Sequence, residues 1–211
     1  MRIISGTFRS RTLEAPAGFA TRPTSDRLRE TVFNVLAPRI PDAAFLDLYA
    51  GSGAVGLEAV SRGAAHVVFV ERAPAALKAL HSNLAKLGIR EGFRVDPNKV
   101  GPALRRLEKG ASHSRFDIVF LDPPYEDVEE YASTLGQLGG GLAGLLAAGA
   151  LVIAEHRRKQ RLEDRYGSLE RTRLLEQGDA GLSFYRQAAV ESLLAGKSDD
   201  FREGEGYSVG P

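Results

Sequence analysis

The chain has 211 residues, a formal net charge of +1 at pH 7 and no cysteine. A chain of this length fits one domain with a short appendage and can bury a sizeable core without outside help. The absence of cysteine excludes thiolate catalysis, cysteine zinc sites and disulfides, and it suits a reducing cytoplasm. The longest apolar stretch, residues 142–154, contains two glycines and is too short to cross a bilayer, so we expect no membrane segment.

The N-terminal segment, residues 1–22, has four arginines against the single acid Glu14, and its apolar residues are spaced as in a short hairpin around Gly6. The helix that follows carries apolar side chains at the helical period, with Thr24 or Ser25 as the expected N-cap. Further arginines stand at the start of this helix. The expected phosphate-binding residues are Arg2, Arg9, Arg11, Arg22, Arg27 and Arg29. A solvated edge hairpin would account for the charge of the N-terminal segment equally well.

The stretch from Asp47 to Gly56 reads D-L-Y-A-G-S-G-A-V-G and follows a short apolar run, which indicates a strand, a glycine turn and a helix. Glycine at the turn lets a ligand approach the backbone, and the free N–H groups of a helix start favour polar or anionic groups. Glu71 ends the next strand about 20 residues later, where a ribose-binding acid belongs. The pattern predicts a nucleoside cofactor, and it fits a nicotinamide nucleotide as well as S-adenosylmethionine.

Strands and helices alternate through the rest of the chain. The expected strands cover residues 66–71, 93–95, 116–121 and 150–155, and two more, around 169–175 and 182–185, form an antiparallel hairpin at the sheet edge. In a doubly wound sheet the ends of the first three strands line one crevice, so Asp96 or Asn98 could contact the adenine of a cofactor.

From residue 188 apolar residues become rare, which indicates a weakly ordered tail. The four histidines show no metal-ligand spacing, and we expect no metal site.

The fourth expected strand ends in the tetrapeptide Asp122, Pro123, Pro124 and Tyr125. The two prolines fix the backbone and remove two donors, which leaves carbonyl oxygens beside one carboxylate and one aromatic ring. Hydrogen-bond acceptors with a stacking face match the needs of an exocyclic amino group on a planar base. We therefore take these four residues as the candidate catalytic site. A rigid strand-to-loop turn without catalytic function would use the same residues.

Four motifs together give the chain a family resemblance: R-I-I-S-G from Arg2, R-P-T-S-D-R-L-R-E from Arg22, the glycine loop with its helix, and L-D-P-P-Y from Leu121. With these motifs, residues 2–187 resemble the bacterial methyltransferases that modify the 2-amino group of a guanine in 16S ribosomal RNA. The glycine loop and D-P-P-Y occur in many amino-methyltransferases, whereas the arginine-rich R-P-T segment is more discriminating. Residues 96–99 read D-P-N-K, where that family often has an N-D-A-like sequence.

The resemblance implies the α/β class I S-adenosylmethionine-dependent methyltransferase fold, which is Rossmann-like. This fold has seven strands in the order 3-2-1-4-5-7-6, with strand 7 antiparallel and helices on both faces, and we expect an N-terminal β-hairpin in addition. The resemblance implies that S-adenosylmethionine binds at Asp47, Tyr49, Ala50, Gly51, Ser52, Gly53, Glu71, Arg72, Asn98 and Asp122. The D-P-P-Y residues would hold an extruded guanine, with Asp122 accepting a hydrogen bond from the 2-amino group and Tyr125 stacking on the base. The partner would be 16S rRNA within the small ribosomal subunit or an assembly intermediate, and we expect a monomer.

The expected organisation is a basic hairpin arm over residues 1–22, a methyltransferase domain over residues 23–187 and a weakly ordered tail over residues 188–211. Three other functions stay open. A methyltransferase acting on DNA adenine or cytosine, or on protein glutamine, would share the glycine loop and the proline turn. A nicotinamide oxidoreductase would share the loop but leaves D-P-P-Y unexplained. A non-catalytic RNA-binding module would use the arm and have no need of Asp122.

Overall fold

The computed structural model describes residues 1–16, 26–110, 115–124 and 127–188. The expected N-cap at Thr24 or Ser25, Arg22, Tyr125 and the tail from residue 189 onward lie outside these ranges. Helices α1 to α5 cover Asp26–Leu36, Ala54–Ser61, Pro74–Leu87, Val100–Gly110 and Val128–Gly139. Strands β1 to β8 cover Ala44–Leu48, His66–Val70, Phe93–Asp96, Phe116–Leu121, Leu146–Arg157, Arg165–Tyr166, Leu169–Gln177 and Ala180–Gln187. In the described part of the chain, none of the helices has the length and apolar character that a membrane crossing requires.

The strands form one sheet in the order β3-β2-β1-β4-β5-β8-β7-β6. Strands β1 to β5 are parallel to one another, and β8 lies antiparallel beside β5. This is the predicted class I order, with β8 in the place of the antiparallel seventh strand. The addition is β6, a two-residue strand that pairs with the start of β7. The described sheet therefore has eight strands where the sequence predicts seven.

Alternate residues of the central strands pack against helices on opposite faces of the sheet. Phe45 and Phe69 belong to the apolar core under α1, α2 and α3. Their chain neighbours Leu46 and Val68 belong to the second core, under α4 and α5. The strands read as nearly continuous apolar runs because both faces of a parallel sheet are covered.

Residues 1–16 form an antiparallel loop that packs on α2 and α3. The predicted hairpin is present here as a loop with a single strand-type bridge, between Arg2 and Thr12. Ile3 and Leu13 are buried in the core beside α1, α2 and α3. The loop also approaches α2 closely, because a Cβ atom at Gly6 would lie 1.8 Å from the Ser61 carbonyl oxygen. The N-terminal segment is thus seated on the sheet domain through backbone contact.

Strand β5 begins four residues earlier than the sequence predicts, at Leu146. Leu146 pairs with Phe116 and Leu151 pairs with Ile118, so β5 has three more residues than β4 between these two pairs. Gly149, with a φ of 74°, lies in this irregular part. The last two strands form the predicted antiparallel hairpin.

Candidate functional site

The carboxyl ends of β1, β2 and β3 meet at one edge of the sheet, and the glycine loop lies at this edge. Glu71 follows β2, and one of its carboxylate oxygens accepts a hydrogen bond from the Gly51 N–H at 2.8 Å, across 20 residues of chain. The other oxygen accepts from the N–H groups of Arg72 and Ala73, each at 2.7 Å. Glu71 therefore ties the loop to the start of α3. A carboxylate has further lone pairs, so Glu71 can also accept a hydrogen bond from a ribose hydroxyl.

The three loop glycines are required for different reasons. Gly51 has a φ of +57°, and the position of its missing Cβ faces open space in the described structure. A Cβ at Gly53 would lie 2.4 Å from Leu80 Cδ1, and a Cβ at Gly56 would lie 2.3 Å from Phe69 Cε1. Gly51 thus keeps the ligand side of the loop open, whereas the other two glycines let α2 pack closely on α3 and on the sheet.

Asp47 lies beneath the glycine loop and not on its ligand side. Its side chain is buried, with the residue 2% exposed, and it accepts a hydrogen bond from the Gly56 N–H at 2.8 Å. Burial raises the pKa of the Asp47 carboxyl to about 7; the Gly56 hydrogen bond opposes this shift and the nearby Glu71 adds to it. Direct contact of Asp47 with a cofactor, as expected from the sequence, is incompatible with this burial. Asp47 instead satisfies a free donor at the start of α2 and so holds the loop in place.

Tyr49 connects the end of β1 to α5. Its backbone has a φ of 62°, a left-handed conformation that is uncommon for an aromatic residue. The Tyr49 hydroxyl donates to the Glu130 carboxylate at 2.7 Å and lies 2.8 Å from the Thr134 hydroxyl. Burial raises the pKa of the Tyr49 hydroxyl, so this group stays protonated at neutral pH. The hydroxyl is therefore committed to α5, the helix that begins just after D-P-P-Y.

Asp96 and Asn98, the two candidates for adenine contact, have different surroundings. Asp96 is buried and lies 2.6 Å from the Arg106 guanidinium. Asn98 is exposed, and its amide donates to Asp96 at 2.9 Å. Asp96 therefore orients Asn98, and Asn98 is the residue of the pair that a ligand can reach.

Asp122 and Tyr49 stand side by side at the sheet edge. Leu121, the last residue of β4, pairs with Leu48, the last residue of β1, so the next residues of the two strands are Asp122 and Tyr49. Neighbouring strands lie about 5 Å apart. The register therefore brings the D-P-P-Y turn directly beside the strand that leads into the glycine loop.

The turn after Asp122 uses part of its own hydrogen-bonding capacity. Pro123 is buried and Pro124 is exposed. The Pro124 carbonyl oxygen accepts a hydrogen bond from the Asp127 N–H at 2.9 Å. One of the two carbonyl groups expected to face a base is thus engaged within the turn, which leaves it a single free lone pair.

Arg29 is not part of the exposed basic surface. Its side chain is fully buried, and its guanidinium donates a hydrogen bond to the Arg2 carbonyl oxygen. The guanidinium also donates to the Asp26 carboxylate at 3.0 Å, and its Nε lies 4.0 Å from the Glu58 carboxylate. Burial lowers the pKa of this guanidinium, and the nearby carboxylates oppose the shift. The prediction that Arg29 contacts phosphate is therefore wrong, because Arg29 anchors α1 to the N-terminal segment.

The other described arginines of the predicted phosphate-binding set, Arg2, Arg9, Arg11 and Arg27, are exposed. Arg2 pairs with Thr12, the residue after Arg11, and the Arg2 side chain lies 4.0 Å from Asp26, the residue before Arg27. The Arg9 N–H donates to the Gly6 carbonyl at 3.1 Å, in the turn that contacts Ser61 at the end of α2 opposite to the glycine loop. Arg27 lies at the start of α1. Their contact with RNA stays a prediction.

Two buried polar side chains that the sequence analysis missed hold the N-terminal segment in place. Asn83 of α3 accepts from the Glu14 N–H at 2.7 Å, and its amide donates to the carbonyl oxygens of Glu14 and Ser52 at 3.1 and 3.0 Å. Glu58 of α2 accepts from the backbone N–H groups of Ile4 and Ser5 at 2.7 and 3.0 Å. Each lies in a helix among buried apolar residues. A polar residue at such a position in the sequence indicates a buried hydrogen-bonding role.

His156 is a buried packing residue. Its Nε2 lies 2.9 Å from the Ser183 hydroxyl, and its Nδ1 lies 2.9 Å from the Arg157 carbonyl oxygen. Among the residues that the structure describes, no three His, Cys, Asp or Glu side chains are grouped so that they could hold a metal ion.

Comparison with known proteins gives extensive matches. The family model described as Conserved hypothetical protein 95 matches residues 1–186. YlbH of Bacillus subtilis (strain 168) is 35% identical over 196 residues, which cover 89% of this chain and 99% of YlbH. Ribosomal RNA small subunit methyltransferase D of Escherichia coli (strain K12) is 46% identical over 125 residues, 59% of this chain and 60% of that protein. The structure of yhhF from Escherichia coli has a TM-score of 0.75 at 35% identity and covers 89% of this chain and 97% of that one.

A more distant structure, SMU.776 of Streptococcus mutans in complex with SAH, has a TM-score of 0.58 at 14% identity and covers 74% of this chain and 48% of that one. This likeness concerns the fold alone. The strand order and the glycine loop tied to Glu71 define a class I S-adenosylmethionine-dependent methyltransferase fold, and the chain is a methyltransferase. The chain belongs to the family described as Conserved hypothetical protein 95. The resemblance seen in the sequence, to methyltransferases of the small-subunit ribosomal RNA, is thereby confirmed.

Proposed function

We propose that the protein transfers a methyl group from S-adenosylmethionine to the exocyclic 2-amino group of a guanine in 16S rRNA of the small ribosomal subunit. The observation that carries the proposal is the strand register, which places Asp122 beside Tyr49 at the start of the glycine loop. A methyl donor on the loop and a base on the D-P-P-Y turn would face each other across one strand spacing, about 5 Å. In-line transfer depends on such proximity.

The glycine loop favours S-adenosylmethionine over a nicotinamide dinucleotide. In dinucleotide-binding folds the loop N–H groups bind the pyrophosphate. Here the Gly51 N–H already donates to the Glu71 carboxylate and is not available to a phosphate. Two partly exposed carboxylates, Glu71 and Asp122, also follow β2 and β4 at this edge. S-adenosylmethionine supplies its methyl group on a positively charged sulfur, which suits an acidic edge.

We assign to Asp122 the role of accepting a hydrogen bond from the reacting amine. The guanine 2-amino nitrogen is a weak nucleophile, because its lone pair is drawn into the ring. As this nitrogen forms its bond to the methyl carbon, the carbon–sulfur bond breaks and its electron pair goes to sulfur. The methylated nitrogen then loses one proton to solvent water. A carboxylate that accepts a hydrogen bond from this amine stabilises the positive charge that develops on nitrogen, which lowers the barrier more than it strengthens substrate binding. The stacking role of Tyr125 stays a prediction from the sequence.

The relatives and the surface charge support the substrate. The Escherichia coli relative is named as a methyltransferase of the small-subunit ribosomal RNA. The exposed arginines of the N-terminal segment and α1 suit contact with RNA phosphates. We propose that the protein acts as a cytoplasmic monomer on 16S rRNA within the small subunit or its assembly intermediate.

Substitution of Asp122 tests the assigned role. Asp122→Ala should lower the single-turnover rate of methyl transfer by about 100-fold to 10,000-fold, the range for one well-placed polar or acid–base group. The variant should still bind S-adenosylmethionine, which calorimetry measures. Asp127→Asn, which removes an exposed carboxylate from the same loop, is the matched control and should retain the wild-type rate. A wild-type rate in Asp122→Ala would assign the D-P-P-Y turn to scaffolding alone.

A further inference from the structure

A second basic cluster lies outside the site described above, directly after β5. Residues 157–161 read R-R-K-Q-R, and their four cationic residues are all exposed. The Gln160 N–H donates to the Arg157 carbonyl oxygen at 2.9 Å, which closes a turn. We call residues 157–161 the basic turn.

The basic turn lies at the same edge of the sheet as Asp122. Strand β5 runs parallel to β4, and Ala154 pairs with Leu121, the residue before Asp122. At about 3.3 Å per residue, the basic turn therefore begins roughly 10 Å beyond the level of Leu121. The glycine loop follows β1, on the opposite side of β4. An RNA chain that presents a base to Asp122 would cross the basic turn on the side away from the cofactor.

Hydrogen bonds connect the basic turn to the exposed start of α1. The Arg158 N–H donates to the Asp179 carbonyl oxygen at 2.8 Å, which seats the basic turn on the β7–β8 connection. At the end of β7, the Gln177 side chain accepts a hydrogen bond from the Thr31 hydroxyl of α1 at 2.9 Å. Thr31 lies one helical turn after Arg27, whose carbonyl oxygen is 3.1 Å from the same hydroxyl. The basic turn and the part of α1 that carries Arg27 are therefore both bonded to the β7–β8 hairpin.

The basic turn keeps a surplus of positive charge. Arg158 lies 3.6 Å from Glu176, but the two side chains are 59% and 47% exposed, and such surface pairs contribute little in water. Arg158 can thus exchange Glu176 for a phosphate at small cost. Within the described ranges, Lys159 and Arg161 have no carboxylate partner. The four cationic residues of the basic turn outnumber the two acidic residues beside them, Glu176 and Asp179.

The chemistry of this edge fits a polyanion. The large apolar side chains that are exposed on the described residues are Val128 and Leu174, which are too few to form an apolar docking patch. We propose that the basic turn binds phosphates of the RNA strand next to the reacting guanine. This inference rests on the proposed function for the identity of the RNA and adds a second contact surface, on the β5 side of Asp122. Phosphate contacts fix the position of an RNA chain without reading its sequence.

A charge-matched pair of double variants tests the basic turn. The first is Arg158→Gln with Lys159→Gln. The control is Lys86→Gln with Lys109→Gln, which removes two exposed cations from the last turns of α3 and α4, at the opposite edge of the sheet. The probe is an unmethylated transcript of small-subunit ribosomal RNA, and its dissociation constant is measured over a range of KCl concentrations.

The first variant should reduce the slope of log affinity against log salt by roughly 1.5, because each phosphate contact contributes about 0.7 to 0.9. Its affinity at about 0.1 M salt should be about tenfold weaker, and the control should match the wild type. Lys159→Gln with Arg161→Gln, which leaves the Arg158 pair intact, should reduce the slope similarly. Calorimetry with S-adenosylmethionine verifies that every variant is folded.

Wild-type slopes in both basic-turn variants, or equal reductions in these variants and the control, would overturn the inference. Binding is measured here without methyl transfer. A wild-type protein that binds RNA through the basic turn but methylates no guanine would therefore refute the proposed function and leave the inference standing. Methyl transfer to guanine with unchanged salt slopes would refute the inference alone.

Discussion

Asp47 carries a carboxyl group that is buried under the glycine loop and titrates far from its ordinary range. In the unfolded chain the carboxyl should titrate near 3.8, whereas burial in the folded protein raises its pKa to about 7. Between these values the folded protein holds a proton that the unfolded chain has released. The contribution of Asp47 to the free energy of unfolding therefore falls as pH rises through this window, by up to about 1.4 kcal/mol per pH unit.

Asp47→Asn removes this titration and keeps an acceptor for the Gly56 N–H. The stability of this variant relative to the wild type should increase as pH rises from about 5 to about 7.5, which urea unfolding at several pH values measures. Asp42→Asn, which changes an exposed carboxylate just before β1, is the control and should show no such trend. If the free energies of unfolding of Asp47→Asn and the wild type change in parallel with pH, the raised pKa of the Asp47 carboxyl is contradicted.

At the residue scale, contacts that follow from motif spacing could be predicted from the sequence better than the burial and direction of single side chains. The contact between Gly51 and Glu71 follows from the fingerprint spacing, because a strand–turn–helix of this kind has a narrow geometry. Arg29 was assigned to the surface by its charge alone. Its position four residues before Phe33 and seven before Leu36, both buried, places it on the apolar face of α1. The direction of Tyr49 could not be predicted, since its partners lie 81 and 85 residues away.

At the scale of elements, the N-terminal segment is joined to the glycine loop through α3. The buried Asn83 side chain holds both backbone groups of Glu14 and the Ser52 carbonyl oxygen. Asn83→Ala would leave these three groups without their partner, at a cost of about 1 to 3 kcal/mol in the free energy of unfolding. The substitution should also increase the rate of hydrogen exchange of the amides of residues 1–16, and it should increase that of the central strands less.

Asn34→Ala is the matched control, since Asn34 is exposed on α1 and should tolerate alanine with little loss of stability. Denaturant unfolding gives the free energy, and hydrogen exchange read by mass spectrometry locates the loosened segment. If Asn83→Ala and Asn34→Ala have the same stability and the same exchange in residues 1–16, Asn83 does not secure the segment.

The elements themselves were predicted from periodicity and turn residues, and the exceptions have physical causes. The irregular start of β5 was missed because residues 146–149 read L-A-A-G, which has no alternation of apolar and polar side chains. Strand β6 has two residues, which is too short for any period to show. It is defined by pairing with β7, and pairing between strands is a tertiary property.

At the scale of the whole molecule, the strand order brings three candidate functional segments to one edge of the sheet. The glycine loop follows β1, the D-P-P-Y turn follows β4, and the basic turn follows β5. The family resemblance implied this order, and the alternation of strands and helices favours a doubly wound sheet with ligands at the carboxyl ends of its strands. The sequence did not reveal the proximity of the basic turn to α1, which depends on contacts across the β7–β8 hairpin.

The measurement that tests the central claim most directly is methyl transfer from labelled S-adenosylmethionine to small ribosomal subunits that lack the modification. The RNA is then digested to nucleosides, which are separated and identified by mass. We expect the label to appear in N2-methylguanosine from the small-subunit RNA, and we expect Asp122→Ala to abolish most of it. Label in adenosine, cytidine or ribosomal protein, or no transfer by a protein that binds S-adenosylmethionine, would contradict it.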